Sequence, residues 1–498
     1  MKVLLVYPFN LLDSKGRKDE PRIPLSITYI GAAARKAGHD VTLLDLRVKQ
    51  QKMTNYLPQD FDSADLSILL ELLEKQIEQK KTQMVGINCL FSAVFPSVIR
   101  IAKFIKKVNP KIDVIIGGIH PTLFTEQIME KYSDCIDYVS IGESENQFVQ
   151  LLNALDKSGV DTPDYIALSK IEGIAYNENG KLKINPKRNY LENLDELDFP
   201  AVDLLNMEDY FIDTSGWHSP KGINIKTAVP ITTSRSCPKM CNFCSMHLLH
   251  GKRIRYRSPQ NVIKELEFYA GKYGLRYFNF TDDNLTLNKK RTIELMDLIV
   301  KSGLNISFST ENGVYINSLD EEVLDAMSAA GLARLHLAFE TGSDYIRNEV
   351  IGKNLYNTKI NELAEILSLP KYNHIYLNGY FLLGLPEETE ETLNETFDLI
   401  KSFPLDDYSL FYATPFLGTK LYEQCFNEGL FTKDYFYDKA KMVEQTDVGM
   451  LIMSDPHIKP YNLSVETLIK YRDIMQEHLT KIRTESGLPR SSPLRYRP

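Results

Sequence analysis

The sequence predicts an α/β protein in which a doubly wound parallel sheet is followed by a second series of βα repeats. The first observation is that short apolar runs alternate with amphipathic, helix-period stretches over residues 1–157. The second is a renewed alternation that begins at residue 229 and contains six strand candidates. Strands that alternate with helices are joined by right-handed crossovers, so each series favours a parallel sheet.

Five strands are expected in the first series. The apolar runs that predict them are 3–9, 41–46, 84–90, 113–119 and 137–143. The helical stretches between and after them are 25–37, 64–80, 94–108, 122–132 and 145–156. In such a sheet, ligands bind beyond the carboxyl ends of the strands. The distinctive residues therefore lie where a ligand is expected, at 8–9, 88–92, 117–120 and 142–143.

Residues 158–228 interrupt the alternation and are interpreted as a linker subdomain. Two alternating runs within 173–184 surround Asn179-Gly180, a pair that favours a primed hairpin turn. The stretch 191–205 is polar and broken by proline. Trp217, the single tryptophan, is assigned an interdomain packing role in preference to stacking on a substrate.

The second series predicts a partial or full parallel barrel, with function at the carboxyl ends of its strands. Its strand candidates are 229–235, 276–281, 306–311, 334–340, 375–384 and 408–414. Its helix candidates are 259–273, 288–302, 320–330, 357–368 and 388–402. A mixed C-terminal extension follows, with a helix at 464–484 and a mobile, basic, proline-rich end. The expected domains are 1–157, 158–228, 229–424 and 425–498.

The composition limits the function and the compartment. The chain has 58 Lys and Arg against 66 Asp and Glu, and a net charge of −8 argues against a nucleic-acid partner. No apolar run is long enough to span a bilayer, and no signal-peptide cleavage site follows the first strand. Three of the six cysteines lie within eight residues, which indicates a reducing compartment. We therefore expect a cytoplasmic enzyme.

The strongest motif is C-x3-C-x2-C, formed by Cys237, Cys241 and Cys244 after the first strand of the second series. Thiolates hold iron–sulfur clusters, and three of them can bind three irons of a [4Fe-4S] cube. The fourth iron is then open to a substrate-like chelator. The alternative is a structural Cys3His zinc site completed by His247, with His250 as a spare. Because the motif opens a βα series rather than a small knuckle, the cluster is favoured.

With Phe243 in the aromatic position, this motif resembles the C-x3-C-x-aromatic-C signature of the radical S-adenosylmethionine superfamily. The resemblance continues at strand ends in 281–284, 340–342, 379–389 and 413–422, although Leu417 and Lys420 depart from the usual pattern. It implies a (β/α)6 partial TIM barrel of the radical SAM type, and it names no catalytic residue. The S-adenosylmethionine contacts that it implies are Phe243, Asp282, Asp283, Asn284, Glu340 and Gly384. Arg235, just before the motif, is a further candidate to counter the cluster charge or to bind the S-adenosylmethionine carboxylate.

The first domain resembles the Rossmann-like cobalamin-binding domain that precedes the radical domain in one branch of that superfamily. The resemblance rests on the motifs at 117–122 and 137–145 and on the loop at 88–92. The implied cobalamin contacts are Pro8, Asn88, Phe91, Ser92, Gly117, Gly118, His120, Gly142 and Glu143. Because the D-x-H-x-x-G motif is absent, the resemblance implies base-off cobalamin without a protein histidine ligand. His120 is expected to fix its loop at the start of a helix.

The implied reaction begins with reductive cleavage of S-adenosylmethionine to a 5′-deoxyadenosyl radical. Methyl transfer to an unactivated carbon or phosphorus of a small molecule, lipid or peptide follows, with an electron donor such as flavodoxin or ferredoxin. The alternatives are cyclisation or rearrangement, with or without a functional cobalamin, and, remotely, a zinc-stabilised binding protein. A transfer-RNA methylthiotransferase would need a second cysteine triad upstream, where only Cys89 and Cys135 occur. The residues do not identify the substrate.

Overall fold

The computed structural model describes residues 1–10, 21–53, 63–158, 164–211, 227–444 and 455–485. Trp217 and the basic end after residue 485 lie outside the described residues. The chain forms two large sheets, of seven and six strands, with helices packed against them. This is the mixed α/β architecture that the sequence predicts.

The first sheet has the strand order β2-β1-β3-β4-β5-β6-β7. The strands are β1 (Lys2–Tyr7), β2 (Asp40–Asp45), β3 (Met84–Asn88), β4 (Asp113–Gly117), β5 (Tyr138–Ser140), β6 (Ile174–Glu178) and β7 (Lys181–Asn185). The first five strands pair in parallel, and the last two are antiparallel. The predicted hairpin is confirmed, because Asn179 and Gly180 have φ angles of 49° and 77°, as a primed turn requires. The hairpin extends the first sheet.

Helices cover both faces of this sheet, so it is doubly wound. They are α1 (Leu25–Lys36), α2 (Leu46–Met53), α3 (Ser63–Lys80), α4 (Phe95–Val108), α5 (Ile119–Leu123), α6 (Thr125–Tyr132), α7 (Glu145–Ser158) and α8 (Tyr165–Leu168). α1 and α7 contribute to the hydrophobic core on one face, and α3, α4 and α6 to the core on the other. Among these described helices, α2, α5 and α8 do not coincide with a predicted helix, and all three are short.

The second sheet is parallel throughout and has the order β15-β14-β13-β12-β11-β8. Its strands are β8 (Val229–Ile231), β11 (Tyr277–Phe280), β12 (Ser307–Ser309), β13 (Leu332–Glu340), β14 (Tyr376–Leu383) and β15 (Asp407–Tyr412). β8 and β15 do not pair with each other in the described chain, so the barrel is partial. The strand predicted at 229–235 is divided, since β9 (Ser234–Arg235) leaves the sheet and pairs antiparallel with β10 (Arg255–Tyr256). Asp282 explains the division, because it binds the backbone N–H of Thr233.

A helix follows each strand of the second sheet. The five helices predicted from the sequence correspond to α10 to α14, whereas α9 and α15 were not predicted. These helices are α9 (Met246–His250), α10 (Pro259–Tyr273), α11 (Lys289–Ser302), α12 (Glu321–Ala329), α13 (Asn357–Leu367) and α14 (Glu390–Ser402), with α15 (Lys420–Glu428) after β15. Short 3-10 helices lie at Ser92–Val94, Leu194–Glu196, Val202–Leu204, Met207–Tyr210, Ile316–Ser318, Pro370–Tyr372 and Asp434–Tyr437, and a π-helical turn at Ile346–Val350.

The C-terminal extension contacts both sheets. α16 (Lys439–Met442) belongs to a segment that packs on the first sheet, where the Tyr132 hydroxyl lies 2.6 Å from Glu444 Oε1. α17 (Val465–Glu485) packs on β15, and Arg483 donates to both oxygens of Asp407 at 2.6 and 2.8 Å. Among the described residues, no helix combines the length and the apolar character that crossing a bilayer requires.

Candidate functional site

A cleft lies between the carboxyl ends of the strands of the first sheet and the carboxyl ends of β8 and β11 in the second sheet. Its internal volume is about 340 Å³. Five of the predicted cobalamin residues line it: Asn88, Gly117, Gly118, Gly142 and Glu143. Side chains of α1 and α9 form two further walls, so both halves of the chain contribute to the cleft. Its apolar lining residues include Leu5, Ile115 and Phe148.

Two glycines allow the backbone to approach closely at this cleft. Gly118 has a φ of +126°, and a Cβ on it would lie 2.3 Å from the carbonyl oxygen of Cys89. Gly142 has a φ of +72°, and its Cβ would lie 3.3 Å from the carbonyl oxygen of Leu249. Residues with side chains rarely adopt such angles. The glycines therefore let the loops at the strand ends pack against neighbouring backbone, and the mostly apolar lining of the cleft fits a ligand with a large apolar surface.

Four predicted cobalamin residues lie outside the lining. Pro8 is buried, and Phe91 is 55% exposed. His120 Nδ1 lies 2.8 Å from Ser92 Oγ, and the ring packs against Phe95. Burial lowers the pKa of His120 to about 3, so the imidazole is neutral. His120 thus fixes its loop, as expected from the sequence, and does not face the cleft.

A buried ion cluster joins the two halves of the chain beside the cleft. Arg255 donates to both carboxylate oxygens of Glu143 at 2.8 and 2.6 Å, and His250 Nδ1 lies 2.7 Å from the same carboxylate. Arg235 lies 3.5 Å from Glu143 and donates to Glu145 at 2.5 Å. Burial alone would raise the pKa of Glu143. The hydrogen bonds from Arg255 and His250 outweigh this effect and hold that pKa well below its usual range.

This cluster changes the roles expected for two residues. Glu143 lines the cleft, but its carboxylate is occupied by cations of the second domain. Arg235 pairs with the two glutamates of the first domain. Arg255 was not identified from the sequence, where its one signal is the basic run at 252–257. Its partner lies 112 positions away.

The loop that carries the three cysteines is half-buried and anchored on both sides. Ser236 N donates to Asp283 at 2.9 Å, and Asn242 Nδ2 donates to the carbonyl of Val350 at 2.8 Å. Within the described ranges, no three His, Cys, Asp or Glu side chains converge on a point that one metal ion could occupy. Ligands of a cube bind different irons and lie farther apart than those of one zinc ion. Three thiolates on one loop are the donor set that iron–sulfur clusters use.

The residues after β11 have different surroundings. Asp282 is buried, and its carboxylate accepts from Thr233 N, Thr233 Oγ1 and Ser234 Oγ. Asp283 lines the cleft. Asn284 Nδ2 lies 4.0 Å from Cys237 Sγ, and its Oδ1 is buried without a described partner. Of these three, Asp283 and Asn284 lie where a ligand between the cleft and the cysteines would meet them.

The remaining predicted S-adenosylmethionine contacts are spread over three places. Glu340 has a φ of +69° at the end of β13, and its carboxylate accepts from Lys353 Nζ at 2.6 Å. Phe243 packs against the core between the first sheet and the C-terminal extension. Gly384 has a φ of +85° and faces Leu468 of α17, which would lie 2.8 Å from an added Cβ. Neither Phe243 nor Gly384 lines the cleft.

Two family models match the chain. The model described as the B12 binding domain matches residues 21–152, which contain four of the five parallel strands of the first sheet. The model of the Radical SAM superfamily matches residues 231–400, which contain the cysteine loop and most of the second sheet.

Related proteins match across both sheets. An uncharacterized methyltransferase of Pyrococcus horikoshii is 33% identical over 423 residues, covering 85% of this chain and 83% of that protein. The cytidylyl-2-hydroxyethylphosphonate methyltransferase of Streptomyces wedmorensis is 27% identical over 459 residues, covering 86% and 82%. The structure of the radical S-adenosylmethionine methyltransferase TsrM from Kitasatospora setae, with cobalamin and a [4Fe-4S] cluster bound, matches with a TM-score of 0.65. That match has 18% identity, covers 85% of this chain and 78% of TsrM, and concerns the fold.

Proposed function

The chain belongs to the radical S-adenosylmethionine enzymes that carry a B12-binding domain, and from this membership we propose that it methylates an unactivated carbon or phosphorus. The observation that carries the proposal is the cleft, whose walls come from both the B12-binding domain and the radical domain. When bound, the cluster, S-adenosylmethionine and cobalamin supply radical generation and a methyl donor. The relatives named as methyltransferases support this reaction.

The chain's own residues bind and orient these groups. Cys237, Cys241 and Cys244 hold the [4Fe-4S] cluster on a loop that is fixed by Asp283 and Asn242. Asp283, Asn284 and Glu340 then lie around the S-adenosylmethionine site, and Lys353 neutralises Glu340. Phe243, Asp282 and Gly384 shape this site through packing and hydrogen bonds.

Asn88, Gly117 and Gly118 at the strand ends would hold cobalamin in the cleft, next to its apolar lining residues. Base-off binding without a histidine from the first domain is supported by His120, whose ring is buried against Phe95 and bonded to Ser92. The walls that both domains contribute to the cleft would exclude water from the reacting groups.

The partners and the compartment follow from the same chemistry. The substrate is a small molecule, lipid or peptide, and a flavodoxin or ferredoxin supplies the electrons. The net charge of −8 supports the absence of a nucleic-acid partner. The reduced thiolates that a cluster requires support a cytoplasmic location.

Metal analysis of the anaerobically purified protein, prepared with cobalamin, tests the proposal. We expect about four irons and one cobalt per chain. Replacing Cys237, Cys241 and Cys244 together by Ala removes the iron, because no thiolate ligand remains on the loop. The matched control is Cys425→Ala, which removes a buried cysteine outside the loop and leaves both metals in place. Zinc without iron would contradict the cluster, and iron without cobalt would remove cobalamin from the reaction.

The products separate methyl transfer from cyclisation or rearrangement. Methyl transfer consumes two S-adenosylmethionine molecules, since one donates the methyl group and leaves as S-adenosylhomocysteine. The other yields methionine and 5′-deoxyadenosine. A cyclisation or rearrangement yields only the second pair, so the absence of S-adenosylhomocysteine during turnover would favour that alternative.

A further inference from the structure

The two faces of the second sheet differ in chemistry. Successive side chains of a strand point to opposite faces. In β13, Leu335, Leu337 and Phe339 belong to the core beneath the helices, so Arg334 and His336 point to the concave face. The neighbouring strands repeat this alternation. Polar side chains that share the concave face are Asn279, Ser309, His336, Asn378, Tyr380 and Ser409.

Arg334 is a buried cation on this face. Arg334 is 6% exposed, and its Nε is fully buried without an acceptor among the described residues. No hydrogen bond or ion pair of its guanidinium occurs in the described part of the chain. The Tyr376 ring lies 4.8 Å from the guanidinium carbon. A ring face attracts the cation but leaves the N–H groups without an oxygen acceptor.

The acidic groups in the same surroundings are already paired. Glu311, Asp407 and Arg334 are all close enough to Tyr380 to influence its hydroxyl group electrostatically. Arg22 Nη1 donates to Glu311 at 3.0 Å, and Arg483 donates to both oxygens of Asp407. Asp406 acts on Tyr376 in the same surroundings and accepts from Leu377 N at 2.9 Å. None of these three carboxylates forms an ion pair with Arg334 in the described part of the chain.

Two further polar atoms on the concave face are buried without partners among the described residues. They are Asn378 Oδ1 on β14 and Ser409 Oγ on β15. Asn378 is in register with His336, and Ser409 is in register with Tyr380. Arg334, Asn378 and Ser409 therefore form a diagonal across β13, β14 and β15 that runs toward the carboxyl ends of the strands. Buried polar groups are bonded in the great majority of cases, and a buried charge without a partner is costly. Such a cluster is complementary to a polar, anionic ligand.

We infer that this concave face binds the substrate of the reaction proposed above, and that the substrate carries a carboxylate, phosphate or phosphonate group held by Arg334. The planar guanidinium matches such an oxyanion with two parallel hydrogen bonds. Asn378 and Ser409 then bind a hydroxyl or amide of the same molecule. The inference rests on the proposed function and adds the substrate class.

The position of Arg334 on β13 also indicates the shape of the ligand. Arg334 precedes Glu340 by six residues, which corresponds to about 20 Å of extended strand. Glu340 marks the end at which S-adenosylmethionine is proposed to bind. The molecule is therefore extended, with its anionic group remote from the reacting atom, and Arg334 is not a contact of S-adenosylmethionine.

Anion binding to the holoenzyme tests this inference. The probes are inorganic phosphate and acetate, titrated calorimetrically against the wild type at constant ionic strength in chloride. We expect at least one of them to bind the wild type, and Arg334→Met to weaken that binding at least tenfold. Arg334→Lys keeps the charge without the planar fork and weakens it less. The matched control Arg276→Met removes an exposed arginine that donates to the carbonyl of Leu304 and leaves binding unchanged.

Stability provides a second measurement. Since Arg334→Met leaves no partner unpaired, we expect its thermal midpoint to equal or exceed that of the wild type. A markedly lower midpoint, or failure to fold, would overturn the inference by indicating a structural partner. Binding of neither probe to the wild type, or equal binding to Arg334→Met, would also overturn it. Iron and cobalt are measured on the same samples. Missing cofactors then count against the proposed function, whereas a fully loaded wild type that binds neither anion counts against the inference alone.

Discussion

Asp282 and Asp283 are adjacent in the sequence and have different surroundings. Burial raises the pKa of Asp282, whereas its hydrogen bonds with Ser234 and Thr233 favour the charged form. Those bonds fix the chain just before the cysteine loop. Asp283 binds Ser236 N through one oxygen and faces the cleft. At the scale of single residues, one carboxylate therefore holds the scaffold and its neighbour is available to a ligand.

Gly118→Ala tests the close approach of the backbone at the cleft. A Cβ there would overlap the carbonyl group of Cys89 at a φ of +126°. We expect a loss of about 1–3 kcal/mol of unfolding free energy from the backbone conformation alone, together with weaker cobalamin binding. The measurements are chemical denaturation and a cobalamin titration.

Gly271→Ala is the matched control for that substitution. Gly271 lies in α10, and an added Cβ would meet nothing within 4 Å. We expect a gain of about 0.5–1 kcal/mol, because alanine favours the helix. Equal effects of the two substitutions would contradict the role assigned to Gly118.

Short connections at strand ends carry much of the function at the scale of secondary-structure elements. The turn after β5 supplies Glu143 and Glu145, and the segment from β9 to β10 supplies Arg235, His250 and Arg255. The ion cluster thus connects a strand end of the first sheet to the elements that enclose the cysteine loop. Its geometry couples the position of that loop to the position of the cleft.

Glu143→Gln tests this connection. It leaves Arg255 and Arg235 without the buried carboxylate, and we expect a loss of about 3 kcal/mol or more at neutral pH. The folded pKa of Glu143 is lowered, so its stabilisation is complete above the unfolded value of 4.5 and is lost as the pH falls below it. The difference between variant and wild type should therefore shrink in acid, measured as unfolding midpoints against pH.

The exposed pair of Arg253 and Glu192 provides the control for the buried cluster. Their side chains are 80% and 65% exposed. Glu192→Gln should leave the unfolding midpoint unchanged, because exposed ion pairs contribute little. A difference between Glu143→Gln and wild type that persisted undiminished in acid would contradict the electrostatic origin of the effect.

The sequence predicts elements well where periodicity is long and poorly where contacts are distant. The helix 259–273 coincides with α10, and the strand 334–340 lies within β13. The two-residue pairing of β9 with β10 has no periodicity to detect. The alternation Arg-Leu-His-Leu from residue 334 does indicate a polar face, but whether Arg334 finds a partner depends on residues far away in sequence. The domain limits at 157, 228 and 424 stay predictions.

At the scale of the whole molecule, both domains contribute walls to the cleft. α1 follows β1 in the first domain, and α9 follows the cysteine loop in the second, yet both line the same space. The C-terminal extension restrains this arrangement, because it packs on the first sheet through the core around Phe436 and on the second through α17. A ligand in the cleft should therefore affect both domains together.

Hydrogen exchange with and without added cobalamin measures that effect. We expect protection of amides in both Leu25–Lys36 and Met246–His250, with Glu321–Ala329 as an unprotected control region remote from the cleft. At 100 times the dissociation constant, binding adds about 2.7 kcal/mol to the folded state. Protection confined to Leu25–Lys36 would mean that the first domain alone holds the ligand.

The hairpin of β6 and β7 has a consequence for aggregation. It covers β5, whose backbone groups would otherwise form an open sheet edge, and it places the exposed Lys181 at the new edge. Bare edges pair with other chains, whereas lysines at an edge discourage such pairing. An excised first domain that ended at residue 157 would expose Tyr138–Ser140 to self-association. A fragment intended to stay monomeric therefore has to continue to Asn185.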